Sequence, residues 1–274
     1  MLPEGFYYID HPNIKIDLAF YGKKNILGKR LTGYNDNVGI MRREACVALY
    51  NVADELAKEG YGLIVYDAYR PESAQNYLHN IWQNEPGLEQ QNQYYPGLSK
   101  VTLFNSYLAE DFSHNSGNSV AVALSQGWPR RKVDMGGSYG VYTTDVTFRA
   151  NLQEEVELSR ARLRKYMKKN NFYNRFTVWW KFEYRTPDVT NSLEKEINKN
   201  IYDFPIEKDR HCCRCWWRLF TRTGLPTQAI QMSFNPVIRK NKDVAIYDRI
   251  DDIDTEHHAD SASVSSDSSF EPVV

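Results

Sequence analysis

The chain reads as an α+β protein, and three observations lead there. Residues 41–59 and 152–170 repeat apolar side chains at the spacing of amphipathic helices. NIKIDLAF (13–20), the LIVY core of YGLIVYDAYRP and FTVWWKFEYR (176–185) instead show the alternation, or the β-branched and aromatic enrichment, of strands. These pieces follow one another without a strict strand–helix alternation, which is the mark of α+β.

In NIKIDLAF, Ile14, Ile16, Leu18 and Phe20 alternate with polar neighbours, as in a half-buried strand. The glycine-punctuated stretch 22–33 reads as loop. Ala45, Ala48, Leu49, Val52, Ala53 and Leu56 share one face of the first helix, and Gly60 is its stop signal. The next strand, with its core at 63–66, runs into Asp67 and Arg70, and Pro71 suits the start of a following helix. That helix, over 72–83, buries Ala74, Leu78, Ile81 and Trp82. After a loop rich in Asn, Gln and Tyr, strands are predicted over 120–124 and 131–135. Helix 152–170 turns Val156, Leu163, Tyr166 and Met167 inward and its charges outward. IYDFPI closes the packed part, so a domain is predicted over 1–206. A Cys/Trp/Arg-rich extension (207–247) and an acidic, serine-rich tail (248–274) follow, and the tail is too poor in large apolar residues to offset its ordering entropy.

Apolar residues make up 42% of the 274, enough for a sizeable core. A net charge of -1 argues against nucleic acid as a partner. No apolar run approaches the roughly 20 residues of a membrane span. The N-terminus lacks the basic head and apolar stretch of a signal peptide, and three of four cysteines crowd together rather than forming a disulfide framework. A cytoplasmic site of synthesis is the expectation.

FSHNSGNSVAVAL (112–124) sets a lone His114 on a short polar loop that opens into an apolar strand. Such a histidine is either aimed into a cleft or simply hydrogen-bonded to backbone, and its neighbours in sequence leave both readings open.

Taken together, IKIDL, GYGLIVYDAYRP, the histidine loop, RLRKYMKKNNF, the Trp pair and YDFPI resemble, in order and spacing, the zinc D-alanyl-D-alanine dipeptidases of the VanX type. The similarity runs from about residue 6 to 206. It implies a mixed or antiparallel sheet with flanking helices, the hedgehog/D,D-peptidase fold. In that family an arginine polarises the peptide carbonyl, and Arg70 matches it. Zinc is held by the His and Asp of Ser-x-His-x-x-Gly-x-Ala-x-Asp and by the His of Glu-x-x-His, whose Glu is the general base. His114 and Gly117 match. Ala121 stands at the aspartate position, Val178 at the glutamate, Lys181 at the second histidine, and Phe112 and Ser119 replace the serine and alanine. One ligand of three remains.

Catalytic zinc takes three protein ligands and leaves one position for water. Alanine and valine offer no lone pair, and a lysine ammonium donates without accepting. With Val178 in place of the glutamate, no base takes the proton of a metal-bound water. The resemblance therefore implies a family member without a cofactor, unless Glu183 and Asp145 rebuild a zinc site away from the family positions. Lys181 near the vacated metal position, with Arg70, would make a cationic pocket for a carboxylate or phosphate. The alternative is that Lys181 points to solvent from a strand edge. Asp67 is expected in the pocket as the partner of Arg70, and Trp179 and Trp180 in the core.

Cys212, Cys213 and Cys215 lie among Trp216, Trp217, Leu219, Phe220 and interleaved arginines. S-acylation with a membrane-surface contact over 210–222, or docking to a partner, fits this better than zinc. The expected function is a catalytically inactive dipeptidase-like protein that acts by binding an unidentified protein or small anion. The alternative is an active D-alanyl-D-alanine dipeptidase with a reorganised site. The tail is similar in composition to export signals of bacterial effectors, which would take the chain to a host membrane without a signal peptide.

Overall fold

The computed structural model describes residues 1–85, 90–108, 112–127, 130–147, 151–174, 177–186 and 201–209. All belong to one compact unit, Met1–Cys213. Cys212, Cys213, Cys215 and the tail lie outside the described residues.

The main sheet is assembled on β4 (Tyr61–Asp67) and β5 (Ser119–Gln126), which pair antiparallel. Residues 62–65 of β4 and 119–125 of β5 are buried without interruption, as in strands covered on both faces. β2 (Ile14–Ile16) joins β4 in parallel, giving a mixed sheet. Beyond β5 lie β8 (Lys181–Tyr184) and then β7 (Phe172–Asn174), both antiparallel, while β6 (Arg131–Lys132) pairs with the far end of β5. β1 (Phe6–Tyr8) and β3 (Ile40–Arg42) form a separate two-stranded ribbon. The α+β class is as the sequence pattern predicts.

Helix α1 (Arg43–Lys58) buries Ala45, Cys46, Ala48, Leu49, Val52, Ala53 and Leu56. It ends where Gly60, at φ +80°, donates its N–H back to Ala57, a conformation that glycine adopts without steric cost. Helix α5 (Glu154–Lys169) lies alongside, and Lys169 bonds Glu55 while Arg162 and Tyr166 bond Glu59. Those exposed pairs contribute little; the buried Val156, Leu163 and Met167 hold the helix down.

Several elements differ from their sequence-based expectation. The strand predicted over 13–20 stops at Ile16, because Leu18 donates to Asn37 Oδ1 and residues 19–21 turn as a single 3-10 loop. The strand predicted over 131–135 shrinks to β6. Of the strand predicted over 176–185, residue 176 lies outside the described residues and the rest shrinks to β8, because Asn174 Nδ2 gathers the carbonyls of Val178 and Lys181 into a turn and Trp179 N–H donates to the Val146 carbonyl. The preceding β7 has no strand signature in the sequence, because Phe172–Asn174 is only one buried residue and two flanking ones. The helix over 72–83 is α2 (Glu72–Asn76) continued by a π turn (Tyr77–Ile81) and a 3-10 turn. The loop after it contains α3 (Gln91–Tyr94) and α4 (Lys100–Ser106), whose N-cap Ser99 accepts from the N–H of Thr102. Residues 201–206 pack as expected: Ile206 bonds Gly33, and Tyr69 hydroxyl donates to Tyr202 carbonyl and accepts from Phe204 N–H.

Candidate functional site

The site begins at a defect in β4. Val65 faces Val122, but Asp67 faces Ala121, so one extra residue is accommodated between them. Such a bulge re-aims the residues beyond it. Ala121 in turn faces Lys181 on β8, and Asp67, Ala121 and Lys181 thus stand in one row across three strands. The family positions for two metal ligands are therefore cross-strand neighbours, a juxtaposition that their separation of sixty residues conceals.

The histidine loop is sewn to the segment just after β4. His114 Nδ1 bonds the Ala68 carbonyl at 2.6 Å, Asn115 Nδ2 donates to the Arg70 carbonyl at 2.7 Å, and Arg70 N–H donates to the His114 carbonyl at 3.1 Å. Gly117 must be glycine here: φ is +79°, and a Cβ would come within 2.5 Å of the Phe6 ring. A carbonyl only accepts, so Nδ1 carries the proton and Nε2 carries the lone pair. Burial, opposed by Asp67 and reinforced by Lys181 and Arg70, lowers the His114 pKa to about 4. The imidazole is neutral at pH 7.

Asp67 is fully buried and accepts from Tyr34 hydroxyl at 2.7 Å and from Arg70 Nη2 at 2.5 Å. Arg70 also donates to Gln75 Oε1 at 2.6 Å and lies over the Phe20 ring. Burial disfavours the guanidinium charge, but Asp67 and the nearby tyrosines outweigh it, and its pKa is raised. Its Nε is a buried donor with no acceptor among the described residues, a role that an anionic ligand can fill.

Arg70, His114, Ala121, Val178 and Lys181 all line one cavity of about 140 Å³. Asp67, expected in the pocket, is not part of its wall; it stands behind Arg70 and orients it. Lys181 is not on an edge, since β8 runs between β5 and β7. Trp179 is core, at 1% exposure, whereas Trp180 is also a wall of the cleft. Tyr139 and Tyr142 complete that wall, each meeting Trp180 edge-on. Arg160 fixes the loop bearing them by donating to the carbonyls of Met135, Thr147 and Asp145. No carboxylate is among the described residues lining the cavity.

A profile of the D-ala-D-ala dipeptidase family matches residues 7–206. The chain belongs to that family. It is 26% identical over 208 residues to a D-alanyl-D-alanine dipeptidase of Enterococcus faecium, covering 74% of this chain and 98% of the relative. A D-alanyl-D-alanine dipeptidase of Enterococcus faecalis is 27% identical over 187 residues, covering 66% and 92%. One from Streptomyces coelicolor is 26% identical over 207 residues, covering 73% and 98%.

The side chains present do not fit the zinc that the family resemblance implies. His114 has the protonation and backbone bond of a metal ligand, with Nε2 open. At the other family positions lining the cleft stand Ala121, Val178 and Lys181, none of which supplies a lone pair to a metal at neutral pH. His79, the second imidazole of the lining, packs edge-on against Phe104 and would bring the set only to two where zinc takes three. Asp145 and Glu183, the candidates for a rebuilt site, do not line the cavity, and Glu183 lies 3.9 Å from Arg185. Among the described residues, no three His, Cys, Asp or Glu side chains gather as a metal site. Also among them, no helix is long and apolar enough to cross a membrane.

Tyr34, Gln75, Tyr139 and Tyr142 were not legible as site residues. Only the glycine- and tyrosine-rich GGSYGVY offered a signal, since such loops commonly line clefts. The buried imidazole also carries a pH signature. Its folded pKa lies below the unfolded value of 6.5, so between the two the unfolded state binds more protons. His114 costs nothing above about pH 6.5 and destabilises the fold progressively as pH falls towards about 4, by up to about 3 kcal/mol. Urea titrations of wild type and His114→Gln should converge in pH dependence above that window and diverge within it, wild type losing more; parallel curves would contradict a neutral buried imidazole.

Proposed function

We propose that this chain is a binding member of the D-ala-D-ala dipeptidase family that does not hydrolyse peptides. The observation that carries the reading is Lys181 facing Ala121, with both lining the same cleft as His114, the one family ligand that remains. A cation stands where a cation-binding histidine would be, next to an alanine where its companion carboxylate would be. With Arg70 in the same lining, the cleft brings two cationic side chains beside the neutral His114 imidazole, and suits a carboxylate or phosphate. The row Asp67–Ala121–Lys181 supports this by fixing where the ammonium starts.

Protein purified without chelators, then supplied with zinc, is expected to hold far less than one zinc per chain and to leave D-alanyl-D-alanine uncleaved. Stoichiometric zinc with turnover abolished by His114→Ala would establish the competing reading, a working dipeptidase. Changing Arg70 and Lys181 together to Gln should remove binding of acetate and inorganic phosphate. Lys181→Gln alone should weaken it, and this variant leaves the buried Asp67–Arg70 pair intact.

The membrane and export roles proposed for 207–274 rest on composition. Changing Cys212, Cys213 and Cys215 to Ser should abolish membrane partition in a host-cell lysate if acylation is their purpose, and unchanged partition would remove that idea.

A further inference from the structure

Residues 202–206 do not line the cleft, yet they reach both groups that hold its arginine. The Arg70 guanidinium bonds Asp67 and Gln75. Gln75 lies on α2, a helix of five residues whose own N-cap position, Pro71, supplies no side-chain cap. The first N–H groups of any helix need acceptors from outside it. Here Glu72 N–H donates to the Tyr202 carbonyl at 3.0 Å, and Ser73 N–H and hydroxyl donate to Asp203 Oδ1 at 3.1 and 2.7 Å. Asp67, for its part, is held by the Tyr34 hydroxyl, and Ile206 brackets Tyr34. Ile206 N–H donates to the Gly33 carbonyl at 2.7 Å, while its carbonyl accepts from Asn35 and Asp36 N–H at 2.9 Å. Tyr69, next to Arg70 in the chain, stacks on Phe204 at 4.1 Å and accepts the Phe204 N–H at 2.9 Å.

Resting on the anion-pocket reading above, we propose that 202–206 is a positioning strap. Docked, it holds Arg70 and the α2 wall in the arrangement that takes an anion; undocked, it lets both relax. Asp203 and Ile206 are its positioning residues, since they act through α2 and Tyr34 and not on the ligand. Undocking is a local event. Ile206 is buried, but Asp203 and Pro205 are exposed and Tyr202 and Phe204 only half-buried. Segments with so few buried apolar contacts open at far less cost than the whole fold. The chain runs from the strap directly into the extension of 207–247, so an event there reaches the cleft through the strap. Linkage is reciprocal, and an anion in the cleft must hold the strap down by the factor that the strap adds to its affinity.

Hydrogen exchange of the full chain, read by mass spectrometry with and without inorganic phosphate, tests this. Asp203 is exposed, so Asp203→Ala should fold while losing the carboxylate that caps α2. Exchange over 72–79 should quicken about fivefold, the scale of one lost cap, and Asp203→Asn, which keeps the Oδ1 acceptor, should restore it. Phosphate should slow exchange over 201–209 in wild type and not in Asp203→Ala, although no residue there lines the cleft. A merely structural loss would instead quicken exchange across β4 and β5 and leave the phosphate response of 201–209 in place. Unchanged exchange over 72–79 in Asp203→Ala would overturn the strap. So would phosphate that binds wild type, by calorimetry, without slowing 201–209; the anion pocket would then stand alone. If phosphate does not bind wild type, the anion pocket fails, and the comparison of Asp203→Ala with Asp203→Asn over 72–79 decides the strap by itself.

Discussion

Changing Ala121→Asp, Lys181→His and Val178→Glu in one chain is expected to raise zinc content from near zero to about one per chain. The expectation rests on what the fold has kept. His114 is already held in the tautomer that leaves Nε2 open, by its bond to Ala68. Positions 121 and 181 are already opposite each other on adjacent antiparallel strands, where Cβ atoms stand about 5 Å apart. An aspartate and a histidine placed there would complete a His, Asp, His set, and the removal of Lys181 eliminates the charge that opposes a metal. Equilibrium dialysis against zinc, followed by elemental analysis, reads the result without reference to activity. Adding His114→Ala to the triple variant should return it to the zinc-free state. If the triple variant folds, by near-ultraviolet circular dichroism, and still takes up no zinc, the cleft has lost the family's geometry as well as its ligands.

Asp67→Ala should be the most destabilising single substitution in the site, by about 3–5 kcal/mol in urea denaturation. It strands the Arg70 guanidinium, whose side chain is only 12% exposed, and leaves the Tyr34 hydroxyl without its acceptor. The magnitude comes from the uncompensated charge rather than from the pair's own attraction. Replacing both partners, Asp67→Leu with Arg70→Met, should therefore cost much less than Asp67→Ala alone. Tyr34→Phe, which removes one hydrogen bond to a charged group, should cost about 1.5–3 kcal/mol. A double variant as unstable as Asp67→Ala would mean that packing, not charge, holds this corner together.

The long helices and the two central strands were legible because their signal is local. α1 and α5 show their buried faces at helical spacing, and β4 and β5 are apolar runs bounded by polar residues. Two strands end short of their sequence pattern because a side chain outcompetes the strand for the backbone. Asn37 caps Leu18, and Asn174 collects the carbonyls around Trp179, and in both cases the partner is distant or oriented by the fold. The π turn at Tyr77–Ile81 has no sequence signature, although it carries Leu78 and His79 on the cleft wall.

By itself the sequence determined that this chain has the family's landmarks and which ligand-bearing residue types are missing, because identity at a position decides whether a lone pair exists. Only the tertiary structure decided that Asp67, Ala121 and Lys181 share a row, that Asp67 is sealed behind Arg70, and that Tyr139 and Tyr142 form the opposite wall. Those facts depend on a bulge, a strand register and a loop pinned by Arg160, each a contact between residues far apart in the chain. The chemistry of a residue travels with its side chain, whereas its neighbours are chosen by packing.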